Sequence, residues 1–237
     1  MNRFSVSAGV AALLLTTSGA IAQSRPTIAV AEFTNQTGTA YWWNDGVGQQ
    51  LTDMLSNELS SSGDFNVVER QKLGAVIGEQ DLASSGRVRK GSGPRTGNIT
   101  GASYLVTGTV SAYSENTSDT GGGLNFHGFS FGGGKSQAYV AIDLRVINSE
   151  TSEVVYSRTV EGNTNNSRVG VSGFIGSLGG NFNQKKNVPA GKAVRAALVE
   201  ASDYLDCVMV KRDGCMASFN AKEQRRRDGD RQALDLQ

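Results

Sequence analysis

The fold is decided by residues 27–69, which read TIAVAEFTNQTGTAYWWNDGVGQQLTDMLSNELSSSGDFNVVE. Residues 27–33 form a short apolar run that ends in polar residues, as in a buried strand. Across residues 46–61 apolar side chains recur every three or four positions, which predicts an amphipathic helix that stops at Gly63. Residues 65–69 again have the character of a short strand. The stretch therefore predicts a strand, a helix and a second strand.

The remaining sequence continues this alternation and ends in a charged segment. Apolar and polar residues alternate across residues 136–148, which predicts a strand with one buried face. Further helices are predicted around residues 73–82 and 190–206, a loop at 83–98, and further strands at 103–113 and 153–160. The pattern indicates the α/β (α+β) class, with a mixed β-sheet packed by helices. Residues 211–237 are expected to be a charged C-terminal tail, solvated or frayed.

The first 22 residues have the layout of a secretory signal peptide. Arg3 precedes an apolar stretch too short to span a bilayer, and the small-residue site Ala20-Ile21-Ala22 follows it. We expect cleavage after Ala22 and a location in the periplasm or at the outer membrane. Since no cysteine stands at the cleavage point, a lipid anchor is not expected there.

Charge and cysteine content narrow the classes of partner and compartment. The chain has 23 basic residues, of which Arg3 lies in the signal, and 22 acidic residues, so nucleic acid is not expected as a partner. Cys207 and Cys215 are the only cysteines. A disulfide between them suits an oxidising compartment, and two unpaired buried thiols are the alternative.

Four segments in a fixed order resemble one known family. They are residues 25–30 (RPTIAV), 65–70 (FNVVER), 102–108 (ASYLVTG) and 144–148 (LRVIN). In this order they resemble the CsgG/HfaB family, typified by the curli secretion channel and a holdfast-anchoring protein, over residues 25–210. The resemblance implies a periplasmic domain over residues 23–210 with two β-hairpins per subunit. It also implies that several subunits, nine in the curli channel, join their hairpins into one outer-membrane barrel.

Two glycine-rich insertions can be tested against that expectation. They span residues 113–139 and 158–189, and each is long enough for two membrane strands of about 9–11 residues. Four strands cannot close a barrel alone, so a pore would require a homo-oligomer. The alternative is disordered glycine-rich loops on a soluble domain. The apolar residues expected to contact outer-membrane lipid are Leu124, Phe126, Phe129, Phe131, Tyr139, Val169, Val171, Phe174 and Ile175.

An aromatic loop lies between the first strand and the first helix, where the family carries its pore constriction. Its residues are Tyr41, Trp42, Trp43 and Asn44. In a ring they would form a narrow collar, because aromatic rings offer rigid and non-specific contact to an unfolded chain. Alternatively, one tryptophan anchors the loop to the helix, and the two interpretations are compatible.

The sequence offers no catalytic or cofactor-binding constellation. His127 is the single histidine, and no neighbouring cysteine completes a metal site. The glycine triplets at 121–123 and 132–134 lack the sequence that completes a phosphate-binding loop. We therefore expect neither an enzyme nor a cofactor or metal.

These observations lead to one hypothesis and one alternative. The first is a component of an outer-membrane, curli-type secretion channel that passively exports unfolded polypeptide or anchors an extracellular adhesin. Its partners would be further copies in a ring, the secreted polypeptide or an envelope accessory protein, and lipid. The alternative is a soluble periplasmic adaptor without pore activity.

Overall fold

The computed structural model describes residues 24–38, 42–116, 124–126, 129–131, 137–164 and 188–234. The strands are β1 (Thr27–Val30), β2 (Thr34–Asn35), β3 (Asn66–Val67), β4 (Tyr104–Asn116), β5 (Leu124–Phe126), β6 (Phe129–Phe131), β7 (Gln137–Asn148) and β8 (Val154–Asn163). The helices are α1 (Val47–Ser62), α2 (Leu73–Ser84), α3 (Val188–Asp206), a π-helical turn (Cys207–Lys211) and α4 (Met216–Ala233). Predicted features outside the described residues are the signal peptide, Tyr41, His127, Val169, Val171, Phe174 and Ile175.

The main sheet is mixed, as the sequence predicted. Its order is β3-β1-β4-β7-β8, and β2 also pairs with β4. β1 is parallel to β3 and to β4, whereas β7 is antiparallel to both of its neighbours. Strand β8 is therefore one edge of the sheet, and β3 is the other.

The core lies between one face of the sheet and helices α1 and α3. The predicted apolar face of β7 is at most 1% exposed, whereas Arg145 on the opposite face is exposed. α1 contributes its apolar stripe and α3 contributes a row of small and aliphatic residues. The alternating pattern of β7 and the helical period of α1 are both confirmed. The buried β7 residues are Ala138, Val140, Ile142, Leu144 and Val146.

Local chemistry explains both ends of α1. At its end, Gly63 adopts φ 76° and donates its backbone N–H to Ser60, a left-handed cap that favours glycine. Near its start, the hydroxyl of Thr52 donates to the carbonyl of Ala31 and accepts from the N–H of Phe33 at 3.2 Å. Thr52 therefore ties the helix to the chain leaving β1.

Helix α3 packs unusually close to the edge strand at Gly162. A Cβ atom at this position would lie 1.8 Å from the carbonyl oxygen of Ala193 and 2.5 Å from the nitrogen of Ala197. Real Cβ atoms do not approach backbone at such distances, so the helix can sit here only over glycine. Gly162 is thus a packing residue of the sheet.

The C-terminal segment differs from the frayed tail that the sequence predicted. Met216–Ala233 forms an 18-residue helix. The helix is supported by ion pairs one turn apart, in which Arg226 contacts Glu223 at 2.9 Å and Asp230 at 2.8 Å. Phe219 also packs edge-on against Tyr204 of α3, with ring centroids 5.5 Å apart. The physical reason for the difference is docking onto the domain, which charge content alone does not reveal.

Candidate functional site

Strands β4, β7 and β8 continue as a three-stranded ribbon beyond the end of β2, because β7 stays paired with β8 as far as Tyr139 opposite Asn163. The last pair between β2 and β4 is Asn35 with Val110, yet β4 remains paired with β7 as far as Asn116 opposite Gln137. A register shift between Val110 and Ala112 marks a bulge where the ribbon begins. Bulges bend a strand and increase its twist, so this one can redirect the ribbon away from the sheet.

A short hairpin lies within the first insertion. β5 and β6 are antiparallel, pairing Leu124 with Phe131, Phe126 with Phe129, and Asn125 with Ser130. Directly opposed residues of an antiparallel pair belong to the same face. The register therefore assigns the four apolar positions to one face and the two polar positions to the other.

The two pairings in the first insertion, β4 with β7 and β5 with β6, have nearly the same centre of symmetry in the sequence. The β4–β7 register is symmetric about residues 126–127, and the β5–β6 register about residues 127–128.

The second insertion begins later than the sequence indicated. Residues 158–163 pair with β7, ending with Asn163 opposite Tyr139. Val160, Glu161 and Gly162 are buried in the domain. Gly162 lies within the predicted insertion, but it packs against helix α3. Only residues 165–187 remain for the second hairpin, and their predicted lipid-facing members lie outside the described residues.

Tyr139 occupies a different environment from the one expected of a lipid-facing residue. Its side chain is 4% exposed, and its hydroxyl donates to Oε1 of the buried Glu161 at 2.7 Å. A cavity of about 250 Å³ separates this face of the sheet from α4 and is lined by Tyr139, Asp143, Arg226 and Asp230, among others. The structure thus places Tyr139 inside the domain, within the ribbon, where it pairs with Ser114 and Asn163.

The aromatic loop is anchored at the point where the ribbon leaves the sheet. Trp42 is 3% exposed and packs edge-on against Tyr113 of β4, with ring centroids 5.5 Å apart. Trp43 is half-buried and packs edge-on against Trp42 at 5.6 Å, and Asn44 is exposed. Trp42 therefore anchors the loop, whereas Trp43 and Asn44 retain surface that a neighbour or ligand could contact.

A charged cluster, which the sequence analysis missed, fastens α4 to the domain. Arg158 of β8 donates to the carbonyl of Phe219 and to Oδ1 of Asn220, and its guanidinium lies 4.9 Å from the ring centre of Tyr204. Lys222 of α4 forms an ion pair with Glu200 of α3. The spacing of Glu223 before Arg227 was the available sequence signal for a helix here.

Burial and charge act in opposite directions within this cluster. Burial raises the pKa of Glu200, and the attraction of Lys222 only partly offsets the effect. Burial also acts to raise the pKa of Glu223, but hydrogen bonds and charges from Arg226 and Arg227 outweigh it and hold that pKa below its usual value. The cluster therefore includes one carboxyl group with a raised pKa, that of Glu200, and one with a lowered pKa, that of Glu223.

Cys207 and Cys215 form a disulfide with their Cα atoms 6.0 Å apart. The bond joins the π-helical end of α3 to the residue before α4. It therefore fixes the point from which α4 turns back along the domain.

Within the described part of the chain, no group of three or more His, Cys, Asp or Glu side chains could hold a metal ion. No helix among the described residues is long and apolar enough to cross a bilayer.

The fold and the site together define a class of protein: an α/β domain whose strands β4, β7 and β8 extend beyond β2, with an aromatic loop packed against β4. Residues 10–234 match the family described as "Curli production assembly/transport component CsgG". The protein belongs to the CsgG family, which confirms the resemblance drawn from the four ordered segments.

Individual relatives differ in how much of them the chain covers. A Neisseria meningitidis serogroup B protein named "Putative lipoprotein" is 32% identical over 186 residues, 76% of this chain and 75% of the relative. The curli component CsgG of Salmonella typhimurium is 27% identical over 119 residues, 48% of this chain and 43% of that protein. Among solved structures, the hypothetical protein CT253 from Chlamydia trachomatis is 13% identical, covering 77% of this chain and 98% of that one, with a TM-score of 0.41.

Proposed function

We propose that this protein is a subunit of an outer-membrane, curli-type secretion channel that passively exports unfolded polypeptide or anchors an extracellular adhesin. Family membership supports an envelope role of this kind. The observation that carries the proposal is the register of β5 and β6, which opposes apolar to apolar and polar to polar positions. A membrane strand with lipid on one side and water on the other needs this alternation.

The first and second insertions would supply the wall of the channel. Residues 165–187 are 23 residues long, enough for two arms of about 9–11 residues and a short turn. One subunit would then contribute four strands, and open edges in lipid are costly because their backbone groups lack partners. Several copies must therefore complete the wall.

The anchored aromatic loop would form the collar at the channel entrance. Trp42 is committed to packing on Tyr113, so it positions the loop rather than lining the lumen. Trp43 and Asn44, with Tyr41 beside them, are the residues proposed to meet the moving polypeptide. Since the sequence has no nucleotide-binding motif, we assign transport to diffusion.

Site-directed fluorescence tests this proposal residue by residue. Single cysteines at Leu124, Asn125, Phe126 and Ser130 are labelled with an environment-sensitive dye in the full chain reconstituted into vesicles. We expect nitroxide-labelled lipids to quench the dye at 124 and 126, and aqueous iodide to quench it at 125 and 130. A cysteine at exposed Arg145, on the described sheet, is the water-accessible control.

A different pattern would reject the channel. Iodide quenching at all four positions, together with release of the protein from membranes by carbonate, would refute it and favour a soluble periplasmic adaptor. A channel also predicts a heat-modifiable oligomer in the outer-membrane fraction.

A further inference from the structure

Helix α2 is only partly covered in the single subunit. Gln80 is its one buried residue, whereas Val76, Ile77 and Leu82 remain 44%, 43% and 41% exposed. At 3.6 residues per turn, Leu82 lies about half a turn around the helix from Leu73, so apolar residues occupy both sides. A helix that is apolar on more than one side is normally covered on more than one side. The subunit supplies only part of that cover.

Two glycines on the open side of α2 have no explanation within the subunit. A Cβ atom at Gly74 or at Gly78 would meet no atom of the described residues within 4 Å. Each glycine in a helix costs about 0.5–1 kcal/mol relative to alanine. Gly74, Gly78 and Leu82 are spaced four residues apart and so lie along one side. Close packing of another chain against this side would explain why glycine occupies both positions.

The basic loop, residues 87–95, follows α2 and has no counterion among the described residues. Its charged residues Arg87, Arg89, Lys90 and Arg95 are exposed, and none forms an ion pair within the described residues. No acidic residue occurs between Asp81 and Glu115. The loop is held against the helix, since a Cβ at Gly93 would lie 2.5 Å from Cβ of Ala83. Four positive charges are therefore fixed beside the uncovered side of α2.

A second surface of the same subunit carries the opposite charge. The acidic patch comprises the half-buried Glu58 and Asp64, the exposed Asp203 and the buried Asp206, near the C-terminal ends of α1 and α3. Arg195 pairs with Glu58 and Lys211 pairs with Asp206, which leaves two carboxylates in excess. Partial desolvation and repulsion from Glu58 and Asp206 raise the pKa of Asp203, although Lys211 opposes them. A cation from another chain would relieve this excess.

The topology places the two charged surfaces on opposite faces of the sheet and at the same end. β3 and β4 flank β1 and run parallel to it, so the two crossovers through α1 and α2 proceed in opposite directions. Because such crossovers are right-handed, α1 and α2 belong on opposite faces. The end of α1 lies near the start of β3, and the basic loop lies before the start of β4. Both are therefore at the end of the sheet where these two strands begin. If two copies stand side by side in the same orientation, the basic loop of one copy would therefore face the acidic patch of the next.

We propose that the open side of α2 and the basic loop form a docking surface for a second copy of this chain, which presents its acidic patch. The contact joins two different surfaces, so repetition generates a ring when the rotation closes. The inference rests on the proposed function, in which a ring completes the channel wall, and it names the surfaces that would hold the ring. An anionic lipid surface is the other occupant that a basic, apolar patch could accept.

Charge reversal with rescue tests the pairing directly. In the full chain in detergent, Arg87→Glu/Arg89→Glu/Lys90→Glu and, separately, Asp64→Lys/Asp203→Lys are each expected to weaken self-association at least about tenfold. The combined variant is expected to recover assembly. Arg225→Glu/Arg231→Glu, which reverses exposed charges on α4, is the matched control and should assemble normally. Sedimentation velocity gives the mass of the assembly in every case.

Uncharged substitutions on the open side of α2 test whether the surface itself is needed, independently of the net charge of the protein. Gly74→Gln and Gly78→Gln enter open space on the subunit, so they should raise its stability to urea while reducing assembly. Unchanged assembly in the charge and glycine variants, or failure of the combined variant to recover, would overturn the proposal. Loss of binding to phosphatidylglycerol vesicles without any change in assembly would assign the surface to lipid and overturn it equally.

The channel and this interface can be tested independently of each other. A wild-type oligomer whose hairpin positions are all quenched by iodide would reject the pore and leave the docking surface intact. Alternating lipid quenching in charge-reversed variants that remain fully assembled would reject the interface and leave the pore intact. A wild-type chain that sediments as a monomer under all conditions would reject both.

Discussion

Gly162→Ala is expected to be one of the most damaging single-methyl additions in this protein. The new Cβ would lie 1.8 Å from the carbonyl oxygen of Ala193 and 2.5 Å from the nitrogen of Ala197, whereas ordinary contacts begin near 3.4 Å. Both atoms belong to helix backbone, so no side chain can rotate away. Helix α3 must retreat by more than 1 Å, and a gap of about 0.5–1 Å already removes a quarter to a half of the dispersion energy of each contact.

Overpacking of a core costs about 1–3 kcal/mol, and the backbone clash places Gly162→Ala at the upper end, about 3 kcal/mol. For a domain of this size the unfolding midpoint should fall by roughly 6–12 °C. Urea unfolding followed by tryptophan fluorescence measures the change, because Trp42 is buried. Gly101→Ala is the control, since its added Cβ would meet nothing within 4 Å. A loss below about 0.5 kcal/mol at Gly162 would refute the assigned packing.

Three further predictions concern the anchors of the loop and of α4. Removing the disulfide between Cys207 and Cys215, which are eight positions apart, should lower the free energy of unfolding by about 2.5 kcal/mol; identical urea curves with and without reductant would contradict this. Trp42→Ala should cost about 3–5 kcal/mol and half-buried Trp43→Ala clearly less, and equal losses in calorimetry would argue against Trp42 as the anchor. Because burial raises the pKa of Glu200, its stabilising effect is complete below the unfolded-state pKa and is lost as pH rises through the native pKa. The stability of the wild type relative to Glu200→Gln should therefore decline from about pH 4.5 upward, and a pH-independent difference would contradict the shift.

Much of the fold could be predicted because its patterns are local. The helical spacing from Val47 to Leu59 and the alternation from Ala138 to Val146 each report one buried face, whichever partner covers it. The order of the strands and helices follows from these patterns. Their pairing into one mixed sheet does not, because it depends on contacts between distant residues.

The remaining features depend on such distant contacts. Which tryptophan anchors the aromatic loop is decided by Tyr113, about seventy positions away in the chain, so the two tryptophans could not be told apart from sequence. The docking of α4 depends on Arg158 and Glu200, which lie on other elements. Gly162 fell within the predicted insertion, residues 158–189, yet it belongs to strand β8 and packs against helix α3, a contact that only the fold reveals.

The position of helix α4 also bears on how readily the protein would aggregate through the edge of its sheet. Arg158 binds the start of α4 from one face of β8, while Thr159 on the opposite face lines the cavity beneath Arg226, so the helix crosses the outer edge of that strand. Unpaired outer strands are templates on which foreign chains add, a common origin of runaway polymerisation. In a protein proposed to handle unfolded chains, the highly charged helix α4 would thus cover the outer edge of β8 and keep those chains from adding to it.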